Sequence, residues 1–137
     1  MKSKDKKVAL VTGGSRGIGA AISRRLGEMG MVVAVNYSSN HKSAEALVEE
    51  IAKDGGEAFA VQSDVSMVGE VTTLFDEVIS RFGRLDVLVN NAGIATYKPM
   101  GEFSEEEYDR IFDINVKGLF FCCQEAAKQM EDGGTII

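Results

Sequence analysis

Residues Val8 to Gly19 read Val-Ala-Leu-Val-Thr-Gly-Gly-Ser-Arg-Gly-Ile-Gly, an apolar run that breaks into glycines and passes into a helical pattern. Four consecutive apolar residues suit a parallel strand covered on both faces. Ala20, Ala21, Ile22 and Leu26 then continue at helical spacing. The stretch therefore predicts a strand, a tight turn and a helix start. Glycines at 13, 17 and 19 remove the Cβ atoms that would keep an anion away from backbone N–H groups, and the opening turn of the helix presents free donors at its positive dipole end. A pyrophosphate fits such a turn.

The rest of the chain repeats the strand and helix alternation. Met31 to Asn36 reads as a second strand, after Gly30 in a helix-ending position. Residues 42–53 form a helical stripe of Ala44, Leu47, Val48, Ile51 and Ala52, with Gly55 past its end. Ala58 to Gln62 is a third strand. Ser66 stands as N-cap before a helix whose inner face is Val68, Val71, Phe75, Val78, Ile79 and Phe82, closed by Gly83. Asp86 to Asn90 is a fourth strand, and Ser104 with Glu107 makes a capping box opening one long helix to about Met130, whose apolar stripe is Tyr108, Ile111, Phe112, Val116, Leu119, Phe120, Cys123, Ala127 and Met130, with Asn115 on it. Thr135 to Ile137 begins a fifth. Strands joined by crossover helices predict a single domain over 1–137: a Rossmann-like, doubly wound parallel α/β sheet of order 3-2-1-4-5, with helices on both faces. The ligand crevice then lies at the carboxyl ends of the first and fourth strands.

Composition narrows the classes of function. The 137 residues are 45% hydrophobic and 26% charged, as in a globular domain, and fifteen basic against twenty-one acidic side chains leave a net charge of −6. That balance argues against a nucleic acid or an anionic membrane as partner. Lys2, Lys4, Lys6 and Lys7 precede too short an apolar run for a signal peptide or a membrane span, so the expected location is cytoplasmic. The adjacent Cys122 and Cys123 suggest neither a disulfide framework nor a metal site and read as buried thiols. His41 and the Glu105-Glu106-Glu107 run read as surface, and no metal ligands are expected.

Four motifs, in order, resemble the short-chain dehydrogenase/reductase family, and among its branches the β-ketoacyl carrier-protein reductases and their sugar- or alcohol-oxidising relatives. They are the turn Thr12-Gly13-Gly14-Ser15-Arg16-Gly17-Ile18-Gly19, Asp64-Val65 after strand three, Asn90-Asn91-Ala92-Gly93 ending strand four, and Asn115 in the long helix. The resemblance implies an NADP(H)-dependent oxidoreductase acting on a carbonyl/alcohol pair of a small molecule. It assigns the cofactor to Thr12, Gly13, Ser15, Arg16, Gly17, Ile18, Gly19, Asp64, Val65, Asn90, Ala92 and Gly93. Asn115 becomes the catalytic-site asparagine, and a homo-oligomer is expected. Cofactor choice rests on the end of strand two, where an NAD enzyme normally carries an acid but this chain has Asn36, Tyr37 and Ser38. With no carboxylate there to repel a 2′-phosphate, and with Arg16 able to donate to one, NADPH is expected over NAD.

The reaction of the family also needs a serine and a Tyr-x-x-x-Lys pair. Tyr37, Tyr97 and Tyr108 are followed four positions on by His41, Gly101 and Phe112, so none makes the pair. The resemblance places these residues after strand five, which predicts that this chain carries the cofactor-binding portion. The alternative is a non-catalytic module that binds a nucleotide or a partner.

Overall fold

A computed structural model describes residues 5–137, so Lys2 and Lys4 of the basic start lie outside the described residues. Five parallel strands form one sheet in the order β3-β2-β1-β4-β5. They are β1 (Val8–Val11), β2 (Val32–Tyr37), β3 (Glu57–Gln62), β4 (Val87–Val89) and β5 (Thr135–Ile136), and the helices α1 (Gly17–Glu28), α2 (His41–Lys53) and α3 (Val68–Phe82) cross between the first four. A 3-10 turn at Met100–Glu102 leads to α4 (Glu105–Phe112), a π turn at Asp113–Gly118 and α5 (Leu119–Gln129). This is the predicted Rossmann-like architecture. Among the described residues no helix is long and apolar enough to cross a membrane.

Every residue of β1 and β2 is buried, as their uninterrupted apolar runs require of central strands with helices on both faces. The two faces carry separate cores. One gathers Leu10, Phe59, Leu74, Phe75 and Leu88, and the other gathers Val11, Val33, Val35, Leu47 and Ile51. The register Leu10↔Ala34 and Leu10↔Leu88 brings the carboxyl ends of β1, β2 and β4 to one edge.

Several local expectations change. Ser66 does not cap α3: its amide and hydroxyl both donate to Asp64 Oδ1, at 3.0 and 2.7 Å, and Met67 occupies the cap position. The capping box at Ser104 and Glu107 forms as predicted. The expected single long helix is instead divided by the π turn. Its buried side is also not the bulky stripe the periodicity suggests. Tyr108, Phe112, Val116, Leu119 and Phe120 are exposed, while Gly118, Cys122, Glu125 and Ala126 are buried. Close approach selects small residues here, because a Cβ at Gly118 would stand 2.6 Å from the Val65 carbonyl oxygen. Of the two thiols only Cys122 is fully buried, and burial, with the neighbouring Cys123, pushes it up to about 12.

One buried charge ties the sheet together. Asp86 Oδ2 accepts from the Val8 amide at 2.8 Å and from Arg84 Nε at 2.9 Å, and Oδ1 accepts from Arg84 Nη2 at 2.6 Å. Burial alone would raise the Asp86 carboxyl, but the Arg84 and Val8 bonds outweigh it and hold the group below its usual 3.8. A carboxyl depressed in the folded state contributes stability above its unfolded value and loses it as pH falls through the folded value. Asp86→Ala is therefore expected to cost about 1.5–3 kcal/mol near neutral pH, the range for hydrogen bonds to charged groups. Urea denaturation should show this gap at pH 7 and its shrinkage below pH 3.8; equal stabilities at pH 7 would contradict the assignment.

Candidate functional site

The turn after β1 is fixed by side chains from the neighbouring strands. Thr12, itself buried, uses one hydroxyl to hold the loop after β4: its Oγ1 accepts from the Asn91 and Ala92 amides, each at 3.1 Å, and lies 3.3 Å from the Val89 carbonyl. Asn91 answers from the other side, where Nδ2 donates to Thr12 O at 3.1 Å and to Gly13 O at 2.9 Å. Gly13 has φ +57°, and its N–H donates to Asn36 Oδ1 at 3.1 Å. Gly19 is needed for space, since a Cβ there would press on the Gly13 carbonyl and come within 2.5 Å of Asn91 Nδ2. Gly17 is needed for its backbone, with φ +56° and open surroundings.

These restraints leave a cleft of 490 Å³ at the carboxyl edge of the sheet. Gly13, Ser15, Arg16, Gly17 and Ile18 line it from the turn, Asn36, Tyr37 and Ser38 from the end of β2, Asp64 and Val65 from the end of β3, and Ala92 and Gly93 from the loop after β4. The first turn of α1 opens beside it, with Arg16 in the cap position and no acidic residue in that turn. Arg16 is exposed and makes no ion pair among the described residues. A second opening of 610 Å³ shares Ser38, Asp64 and Ile114, but Glu105, Glu106, Asp109 and Asp113 also line it, against the single Arg110. Such an acidic wall suits a polyphosphate poorly. The glycine turn, with its N–H groups and Arg16, suits it well.

The residues expected at the site divide into those that face the cleft and those that support it. Thr12, Gly19, Asn90 and Asn115 do not line it. Asn36 lines it but has its amide fully engaged: besides accepting from Gly13, it donates to the Val61 and Ser63 carbonyls at 3.3 and 3.1 Å. Tyr37 is buried, with its hydroxyl 2.7 Å from His41 Nδ1. Asp64 spends Oδ1 on Ser66, while Oδ2 has no partner among the described residues.

Asn115 lies in the π turn and grips one residue of the cleft wall twice. Its Oδ1 accepts from the Ile94 amide and its Nδ2 donates to the Ile94 carbonyl, both at 2.8 Å. Gly93 allows this approach, because a Cβ there would be 3.2 Å from Asn115 Oδ1. Asn90 Nδ2 donates to Cys123 Sγ at 3.4 Å, and its buried Oδ1 is unpaired among the described residues. Lys98, farther along the same loop, reaches α4, where both Glu107 oxygens accept from its Nζ, at 2.7 and 2.8 Å. Together with the Ser104 amide, Lys98 lowers the Glu107 carboxyl to about 2.

Sequence reasoning left Asn91, Ser39, Asn40, Ser63, Ile94 and Ile114 out of the site, and all six line the cleft. Asn91 had a visible signal, since two consecutive asparagines at a strand end exceed what a turn needs. Ser39 and Asn40 could have been added from Asn40's place before a helical stripe. Ser63, Ile94 and Ile114 carry no polarity or spacing that would mark them.

Comparison with known proteins agrees with this geometry. The short chain dehydrogenase family model matches residues 7–137. A short-chain dehydrogenase/reductase of Pestalotiopsis microspora is 52% identical over 133 residues, covering 97% of this chain and 50% of that protein. Elsinochrome reductase 1 of Elsinoe fawcettii is 46% identical, again over 97% of this chain and 50% of its own length. The crystal structure of a short chain dehydrogenase from Burkholderia cenocepacia in complex with NADP superposes with a TM-score of 0.91 at 41% identity, covering 95% of this chain and 53% of that one. The chain thus spans about half the length of the curated relatives it matches. On the family match, the sheet order and the glycine turn together, it belongs to the short-chain dehydrogenase family.

Proposed function

We propose that this chain is the NADP(H)-binding portion of an oxidoreductase that interconverts a small-molecule carbonyl and its alcohol. The observation that carries the reading is the cleft itself. One side has the glycine turn, Arg16 and the start of α1, and the β2 side has Ser38 with no acid at the strand end. The bound cofactor supplies or accepts hydride. The chain's own residues bind and orient it.

In this reading the N–H groups of the turn and of the first turn of α1 hold the pyrophosphate, with Ser15 beside them and Ile18 covering the outer side. Asp64 Oδ2 is available to the adenine amino group, and the backbone N–H of Val65 meets the ring. Gly13 and Gly93 let the backbone pass close, and Ala92 keeps that wall apolar. Asn90 supports the crevice floor. Asn115 sets the backbone at Ile94 and is the residue of this chain assigned to the catalytic region. The exposed face of Tyr108, Phe112, Val116, Leu119 and Phe120 is assigned to homo-oligomer contact, readable as a light-scattering mass above 14.8 kDa.

The test is Arg16→Ala. Loss of hydrogen bonds to a charged phosphate is worth about 1.5–3 kcal/mol, so NADPH affinity is expected to fall roughly 10- to 150-fold, with a much smaller effect on NADH. Isothermal titration with both cofactors measures it, and equal losses would overturn the NADP(H) assignment.

A further inference from the structure

Between β2 and α2 the chain turns through Ser38, Ser39 and Asn40, three exposed residues that line the cleft. Nearly every step of this turn is tied down. The Ser63 amide donates to Tyr37 O at 2.9 Å, Gln62 Nε2 donates to Ser38 O at 3.0 Å, and the His41 amide donates to Ser39 O at 3.2 Å. Asn40 Oδ1 accepts from the Ser43 amide at 3.1 Å and caps α2. The hydroxyls of Ser38 and Ser39, by contrast, make no hydrogen bond among the described residues.

One tie differs in kind, because it joins side chains across the turn. Tyr37 is buried at the last position of β2, and its hydroxyl meets Nδ1 of His41, the first residue of α2, at 2.7 Å. The rings are 5.6 Å apart at 50°. A neutral imidazole accepts the phenolic proton at Nδ1, and a protonated one donates to the phenol oxygen, so the contact serves either state. On the outer side Glu45 Oε1 stands 3.7 Å from His41 Nε2 and steadies the ring. The bond closes a loop of five residues, 37–41, around two serines with idle hydroxyls.

We infer that the Tyr37–His41 pair is a brace that sets the Ser38–Asn40 turn for the cofactor's 2′-phosphate, so that both are positioning residues for the choice of NADPH over NADH. The inference rests on the NADP(H) reading above. Holding the turn in its bound shape before the ligand arrives avoids the ordering cost at binding. That saving applies only to the ligand that uses the turn. NADH lacks the phosphate and gains little from it.

The test is a cycle of Tyr37→Phe, His41→Ala and the double variant, with NADPH and NADH affinities measured by titration and folding checked by thermal denaturation. Each single change removes the same hydrogen bond, so each is expected to lower the NADPH-to-NADH affinity ratio about 3- to 10-fold, and the double variant no further than either alone. An unchanged ratio, equal losses for both cofactors, or losses that add in the double variant would overturn the brace. If buried Tyr37→Phe fails to fold, exposed His41→Ala decides the matter alone. A wild-type protein with no preference for NADPH would overturn the cofactor reading as well, whereas a wild-type preference left unchanged in all three variants overturns only the brace.

Discussion

Gly19→Ala is expected to destabilise the protein by about 3 kcal/mol, the upper part of the usual cost of overpacking, and to abolish nucleotide binding. The reason is where the added methyl would go. It would press on the Gly13 carbonyl, stand 2.5 Å from Asn91 Nδ2 and lie 2.9 Å from Gly14 Cα, so two of its three neighbours are backbone that cannot swing aside. Moving Asn91 would break its bonds to Thr12 and Gly13 and loosen β4 from the turn. Gly17→Ala is the natural control. Its Cβ would meet nothing within 4 Å, and the cost is the left-handed φ of +56°, roughly 1–2 kcal/mol. Urea denaturation of the two variants measures the difference. A Gly19→Ala protein as stable as Gly17→Ala would mean that the turn has slack the geometry denies it.

The second large effect concerns chemistry. The 137-residue chain, assayed by itself, is expected to bind dinucleotide and to turn over no carbonyl substrate. No tyrosine has a lysine four positions on: Tyr37 is buried on His41, Tyr108 stacks on Phe112 with ring centroids 4.3 Å apart, and Tyr97 is 95% exposed. Positioned acid–base catalysis contributes about 10²–10⁴-fold, so its loss leaves a rate near background. The measurement is NADPH oxidation with ketones, β-ketoacyl thioesters and quinones, on protein of confirmed intact mass. Turnover that survives removal of host reductases and disappears in Asn115→Ala would reveal an unrecognised proton donor within these residues.

The fold was legible because alternation leaves few options. Uninterrupted apolar runs at 8–11 and 32–35 mark central strands, and glycines at 30, 55 and 83 fall just past the helices they end. The turn was equally plain, since its glycines precede a helix. What could not be read was which polar side chains face the cleft and which hold it up. Thr12, Asn36 and Asn115 sit in the motifs as if to contact a ligand, yet their polar atoms are engaged with Val89, Val61, Ser63 and Ile94. Sequence spacing gives a residue's place along the chain, while its bonding depends on strands far apart in sequence. The long helix misled for another reason. Periodicity ranks faces by bulk, whereas the face against α3 and the Val65 loop is chosen by closeness, which favours Gly118, Cys122 and Ala126.

Three of the cleft's supports share one chemical trait. Asn36, Asn91 and Asn115 brace the turn, the loop after β4 and Ile94 with neutral carboxamides, each offering a donor and an acceptor from one planar group. An aspartate has nearly the same outline but only acceptors. At position 91 it would set oxygen against the Thr12 and Gly13 carbonyls and add a full negative charge beside the place assigned to the pyrophosphate. Amides therefore brace the turn without placing an anion beside it, and the field there is left to Arg16 and the α1 dipole. Hydrolysis of the Asn91 amide to a carboxylate would reverse that arrangement, exchanging two donated hydrogen bonds for two oxygen–oxygen repulsions and putting an anion where the ligand's own charge is to sit.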